Sequence, residues 1–231
     1  METNNHTVTA VIVAAGNGVR LGGVTKCLID LGGGVTVLER VLNAFTQAKT
    51  IKDIVLVCRA TNEITSIVAR CKKEIKIVKG GATRSESVKN GVDATTSRFV
   101  CIHDCARPFI TAEDIDKVVT VALDTGAASA CSPVYNTIKY TYDGNQTAYT
   151  PDRDKLISVQ TPQVFYRDVY LVAYEKAKAD RIRSTDDTTI AEHAGFRVDY
   201  VPIGTHNFKL TDTSDVKKAK ALVFLENRGL K

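Results

Sequence analysis

The stretch "TVTAVIVAAGNGVRLGGVTK", residues 7–26, begins as a β-branched apolar run and ends as a glycine loop carrying two cations. Residues 7–14 do not alternate polar with apolar, so they read as a strand buried on both faces. After Ala15 the backbone is bare: Gly16, Gly18, Gly22 and Gly23 surround Arg20, and Lys26 follows. In an open α/β sheet, ligands sit outside the carboxyl ends of the strands. Glycines there let backbone N–H groups approach an anion closely. With a guanidinium and an ammonium beside it, the loop suits a polyphosphate. It is not a Walker A loop, because no Gly-Lys-Ser/Thr follows, nor a G-x-G-x-x-G fingerprint, because position 21 is Leu. Taken alone, the loop is equally compatible with a glycine-rich turn bearing two solvated cations.

Outward from this stretch, β-type runs alternate with helical periods. Leu38, Val41, Leu42 and Phe45 share one stripe of a helix over 36–48. Strands are expected over 53–59, 74–80 and 98–104, separated by a helical spacing at Ile64, Ile67, Val68 and Cys71 and a short helix over 84–94. Ile115, Val118, Val119 and Ala122 make another stripe. This order predicts a mostly parallel sheet with helices on both faces.

From Ala127 the pattern changes. A strand leads into a Thr/Tyr-rich alternation interrupted by Asp143-Gly144, a hairpin turn signal. The segment 134–155 reads as a projecting arm, polar on both faces. Helices are expected over 168–179, 187–195 and 213–227, and strands over 197–203 and 207–210. No repeat or linker interrupts the chain, which reads as one domain with an arm.

Composition narrows the functions available. The excess of 31 basic over 26 acidic residues is small and dispersed, which argues against a dedicated nucleic-acid binder. With no Trp and 6% aromatics there is no stacking platform for single strands. The six cysteines form no CxxC pair and fall mostly in apolar segments, as buried thiols of a reducing compartment do. Cys101, His103 and Cys105 alternate on one strand face, but a fourth zinc ligand has no evident source and the three read as core. The start has no basic leader region, and no apolar run is long enough to span a bilayer, so a cytoplasmic location is expected.

Other strand ends point to the same crevice as the first loop. The third strand ends in "KGGATRSES" (79–87), a second glycine turn; the fourth ends in "HDCARPF" (103–109), where Asp104 leaves the sheet beside Arg107. Together with "AAGNGVRLG" (14–22), "PVYNTIK" (133–139), "VQTPQVF" (159–165), "STDD" (184–187) and "NFKLT" (207–211), these stretches resemble the 2-C-methyl-D-erythritol 4-phosphate cytidylyltransferase family over nearly the whole chain. A sister family uses ribitol 5-phosphate; its first loop tends toward Ala-Gly-Gly, whereas Ala14-Ala15-Gly16 here favours methylerythritol. The chain departs from the family in having Thr25-Lys26-Cys27 where Pro-Lys-Gln is usual, and Val19 where a second basic residue is common.

The resemblance implies a Rossmann-like sheet of the nucleotide-diphosphosugar transferase type, and transfer of CMP from CTP to a sugar-alcohol phosphate. It implies that Arg20 and Lys26 stabilise the transition state, and that Arg153 and Lys209 position the acceptor phosphate. Backbone around Ala14, Ala15, Gly16 and Gly81, with Ser87, would meet cytosine. Asp104, Arg107 and Thr137 would meet the acceptor. Mg²⁺ would enter mainly on the CTP phosphates, and a homodimer would form through the arm. A catalytically silent nucleotide-binding module is disfavoured because Arg20, Lys26, Arg153 and Lys209 are all present.

Overall fold

The computed structural model of the protein describes residues 7–16 and 26–230. The first strand, β1 (Val8–Val13), is an interior strand, third in a seven-stranded sheet. It pairs in parallel with β2 (Asp53–Val57) on one side and β4 (Phe99–Asp104) on the other, and β3 (Ile75–Val78) extends the sheet beyond β2. The run without alternation is explained by this position, since β1 has helices over both faces. Residues 8 to 12 are buried throughout.

The second half differs from a simple continuation. β8 (Ile157–Tyr166) runs antiparallel between β4 and β5 (Ala127–Pro133), and β9 (Asp199–Pro202) closes the edge in parallel with β5. The order is β3-β2-β1-β4-β8-β5-β9. β8 was legible only as a motif. Conversely, residues 207–210, expected as a strand, form none; they run irregularly across the top of the sheet, tied by the Leu210 amide to the Ala106 carbonyl at 2.8 Å.

Helices cover both faces, as expected. On one side α1 (Val37–Gln47) buries Val37, Leu38, Val41, Leu42 and Phe45 completely, with α2 (Asn62–Val68), α4 (Ala112–Thr125) and α7 (Thr213–Glu226) contributing to the same core. Each such large apolar side chain contributes about 1.5–3 kcal/mol relative to exposure. α1 begins at a capping box in which Thr36 and Glu39 satisfy one another's backbone amides. On the other side α3 (Arg84–Asp93), α5 (Arg167–Ala179) and α6 (Asp187–His193) pack around Val88, Tyr170 and Ile190. Gly91 lets α3 sit directly on Val11 and Val57, where a Cβ would clash with both.

Within the arm, β6 (Tyr140–Thr141) and β7 (Thr147–Tyr149) form a separate two-stranded sheet. Asp143 accepts from the Asn145 and Gln146 amides, and Gly144 takes a φ of +83°, which turns the chain at the expected tip. The arm is less uniformly polar than its sequence suggested. Tyr140 stacks on Tyr149 with centroids 4.9 Å apart, and Tyr135, Ile138 and Tyr142 are exposed. No helix among the described residues is long and apolar enough to cross a membrane.

Candidate active site

Parallel strands bring their carboxyl ends to one edge, and the sequence places its glycine turns there. After β1, Ala14 continues the sheet for one residue by donating to the Val57 carbonyl, and Gly16 follows in the open. After β3, Gly80 packs against Ala15 so closely that a Cβ on Gly80 would collide with the Ala15 methyl. The end of β1 and the second glycine turn are therefore packed directly on one another.

The second turn is fixed from below by the start of α3. Thr83 caps the helix by accepting from the Glu86 amide, and Glu86 accepts from the Ala82 amide at 2.8 Å. Ser87 is buried; its hydroxyl accepts from the Gly81 amide at 3.0 Å and donates to the Thr83 carbonyl at 2.8 Å. Ser87 thus shapes the turn from within.

At the end of β4, Asp104 is shared by two cations. Arg84 Nε donates to its Oδ1 at 2.9 Å and Lys209 Nζ to its Oδ2 at 2.6 Å. Burial would raise the Asp104 carboxyl, but Arg84 and Lys209 outweigh it and hold the group well below the usual carboxylate range. Arg84 reaches on to the fully buried Asp187, with Nη1 2.9 Å from Oδ2. Burial pushes Asp187 upward against the pull of Arg84.

The backbone around Asp104 is held by a buried circuit. The Asp104 amide donates to Thr161 Oγ1, which lies 3.1 Å from His103 Nδ1, and His103 Nε2 lies 3.2 Å from the Arg107 carbonyl. A carbonyl only accepts, so Nε2 carries the proton and Nδ1 accepts from the Thr161 hydroxyl. Burial lowers His103 from the usual 6.5 to about 4, which keeps this neutral tautomer.

The irregular segment 207–211 spans the same edge. Asn207 is buried and donates to Gln160 Oε1 and the Thr161 carbonyl, while its own carbonyl accepts from Arg107 Nη1 at 2.9 Å. Lys26 Nζ donates to the carbonyls of Leu210 at 3.2 Å and Thr211 at 3.4 Å. Thr211 is held by Asp215 in the first turn of α7, whose N-cap is Asp212. Lys26 is therefore tied to the same short segment that carries Lys209.

Of the residues singled out from sequence, the structure gathers Ala14, Ala15, Gly16, Lys26, Gly81, Ser87, Asp104, Arg107 and Lys209 at the strand ends. Thr137 and Arg153 belong to the arm, where Arg153 Nη1 donates to the Tyr135 carbonyl at 3.0 Å. Arg20 lies outside the described residues. From the sequence Arg84 stands out only as a cation of the second glycine turn, and Asp187, Thr161 and Asn207 only as members of quoted motifs. Cys101, His103 and Cys105 are buried, and among the described residues no group of His, Cys, Asp or Glu has metal-binding geometry. All six thiols are unpaired, and burial pushes Cys27 and Cys58 up to about 11.

Cations gathered beside a glycine turn at the end of an α/β sheet suit a phosphoryl-linked group, and the protein is a nucleotidyltransferase. The chain belongs to the 2-C-methyl-D-erythritol 4-phosphate cytidylyltransferase family, whose family model matches residues 8–225. It is 37% identical to the enzyme of that name from Symbiobacterium thermophilum over 96% of this chain and 94% of the relative. It is 36% identical to that from Clostridium botulinum over 94% of this chain and 99% of the relative. The crystal structure of 4-diphosphocytidyl-2C-methyl-D-erythritol synthase from Anaerococcus prevotii superposes with a TM-score of 0.84 at 30% identity, covering 94% of this chain and 96% of that one.

Proposed function

We propose that this protein transfers CMP from CTP to 2-C-methyl-D-erythritol 4-phosphate, releasing pyrophosphate, in isoprenoid biosynthesis. The observation that carries this reading is that Lys26 is bonded to the Leu210 and Thr211 carbonyls while the adjacent Lys209 reaches Asp104 at the end of β4, in a chain of this family. The attacking group is a phosphate oxygen that is already anionic, so the reaction needs no general base. An acceptor oxygen bonds to the α-phosphorus of CTP as the bond from that phosphorus to the bridging oxygen breaks. The electron pair leaves with pyrophosphate. What the protein must supply is alignment and positive charge.

In this reading Lys26 and Arg20 hold the α-phosphoryl group and the departing phosphates. Ala14, Ala15, Gly16 and Gly81 offer the cytosine a bare backbone edge, and Ser87 acts by holding that edge in shape. Lys209, Asp104 and Arg107 receive the acceptor. Each oxygen of the Asp104 carboxylate is taken by a cation, Arg84 on one and Lys209 on the other, so it presents no open acidic pair. That fits Mg²⁺ arriving on the triphosphate, where it neutralises phosphate charge. We read residues 134–155 as docking on a second copy, so that Arg153 and Thr137 serve the neighbour's acceptor site; the exposed tyrosines of the arm supply a surface for it. Release of pyrophosphate only when CTP and the acceptor are both present tests the reading.

A further inference from the structure

A guanidinium can take both oxygens of one carboxylate with its fork, and such bidentate pairing is favourable. Arg84 does not do so. It meets Asp104 through Nε alone, at 2.9 Å from Oδ1, and sends Nη1 to Asp187 Oδ2 at 2.9 Å. Asp104 Oδ2 is thereby left for Lys209. Asp187 is itself anchored on three sides: it is the first residue of α6, its amide donates to Gln163 Oε1 at 2.9 Å, and its Oδ1 accepts from Tyr170 at 3.2 Å. Asp187, Gln163 and Tyr170 are all essentially sealed from solvent. A buried ion pair is a poor source of stability, since apolar groups of the same volume usually do as well. A buried carboxylate here needs a positional reason.

We infer that Asp187 is a positioning residue for the acceptor end of the site: by drawing off one arm of Arg84, it divides the two oxygens of Asp104 between Arg84 and Lys209. Without it, Arg84 closes on Asp104 with both arms and displaces Lys209. The inference rests on the function proposed above for what Lys209 binds, though the geometric part does not depend on it.

The test is Asp187→Asn, which keeps the Oδ1 acceptor for Tyr170 and the backbone amide for Gln163 but cannot draw Arg84. In a crystal structure of the variant, both arms of Arg84 should lie on Asp104 and Lys209 Nζ should have left it. Kinetically, the KM for 2-C-methyl-D-erythritol 4-phosphate should rise about tenfold, the scale of one charged hydrogen bond, with the KM for CTP within about twofold. Adding Arg84→Gln should reverse the rise, because the competing cation is gone; a merely structural role for Asp187 predicts no rescue. If Asp187→Asn alone does not fold, Arg84→Gln is compared with the double variant, and their acceptor KM values should agree within about twofold. A retained Lys209–Asp104 contact in Asp187→Asn, an unmoved acceptor KM, or a tenfold gap between Arg84→Gln and the double variant overturns the inference. A wild-type protein with no turnover strikes the proposed function instead, and the crystallographic result still decides the geometry.

Discussion

Lys209 and Asp104, 105 positions apart in the chain, meet at 2.6 Å at the end of the fourth strand. The contact joins the irregular 207–211 segment to the sheet and gives the site a paired charge rather than a bare cation. Asp104→Asn leaves Arg84 and Lys209 facing an amide. Removing one member of a buried pair costs on the order of 3 kcal/mol, to be read as a lower urea midpoint at neutral pH. The folded-state group is depressed below its usual 3.8, so its contribution is fully present above that value and is lost as pH falls through the folded value. The variant should therefore show a shallower loss of stability on the acid side. An acid limb identical to wild type would contradict the pairing.

The joint between the two glycine turns makes a separate prediction. Gly80→Ala puts a methyl into the Ala15 methyl, which has no rotamer to turn aside, with the Ser87 hydroxyl close behind. Overpacking of this kind costs about 1–3 kcal/mol, and in the function proposed above the displaced turn carries the nucleotide edge. The KM for CTP should rise more than that for the acceptor. Equal rises would place the turn elsewhere than under the nucleotide.

His103 should set a stability slope. Its folded pKa lies below its unfolded value, about 4 against 6.5, so the unfolded chain binds the extra proton between those values. Stability from this group is complete above pH 6.5 and falls as pH drops toward 4, by about 2 kcal/mol at pH 5. His103→Gln should remove that part of the slope when unfolding free energy is measured by urea at pH 7 and pH 5. A slope unchanged in the variant would show that the ring is not neutral and buried as described.

The arm is tested by mixing defects. Lys26→Ala should lower kcat by about 10²–10³-fold, the usual effect of removing one preorganised charge from the transition state, and Arg153→Ala should also be nearly inactive. Heterodimers of the two variants carry both defects in one site and neither in the other if Arg153 serves the neighbour. They should then recover up to about half of wild-type turnover, because independent sites add. Background turnover from verified heterodimers would assign Arg153 to its own chain.

β1 to β4 and their helices were legible because each element followed one period, with glycine turns after β1 and β3 and a capping Thr at the start of α1 and α3. β8 was hidden for a physical reason: Gln160, Thr161 and Gln163 break its apolar run, and these are the polar groups that hold Asn207, the Asp104 amide and Asp187. A strand that doubles as the floor of a site cannot look like a core strand. The reverse happened at 207–210, where Asn-Phe-Lys-Leu alternates polar with apolar like a strand, yet the buried residues are Asn207 and Leu210, three apart, and Lys209 reaches Asp104. Arg84 and Asp187 carry no role in the sequence because a cation after a glycine turn and an acid in the first turn of a helix are ordinarily solvated surface groups. Only their shared burial against Asp104 distinguishes them.

The most direct measurement of the whole account is pyrophosphate release by the purified protein with Mg²⁺ and CTP, with 2-C-methyl-D-erythritol 4-phosphate or ribitol 5-phosphate as acceptor. The account predicts release with the methylerythritol acceptor and a lower kcat/KM with ribitol 5-phosphate. A higher kcat/KM with ribitol 5-phosphate, or no release with either, would contradict it.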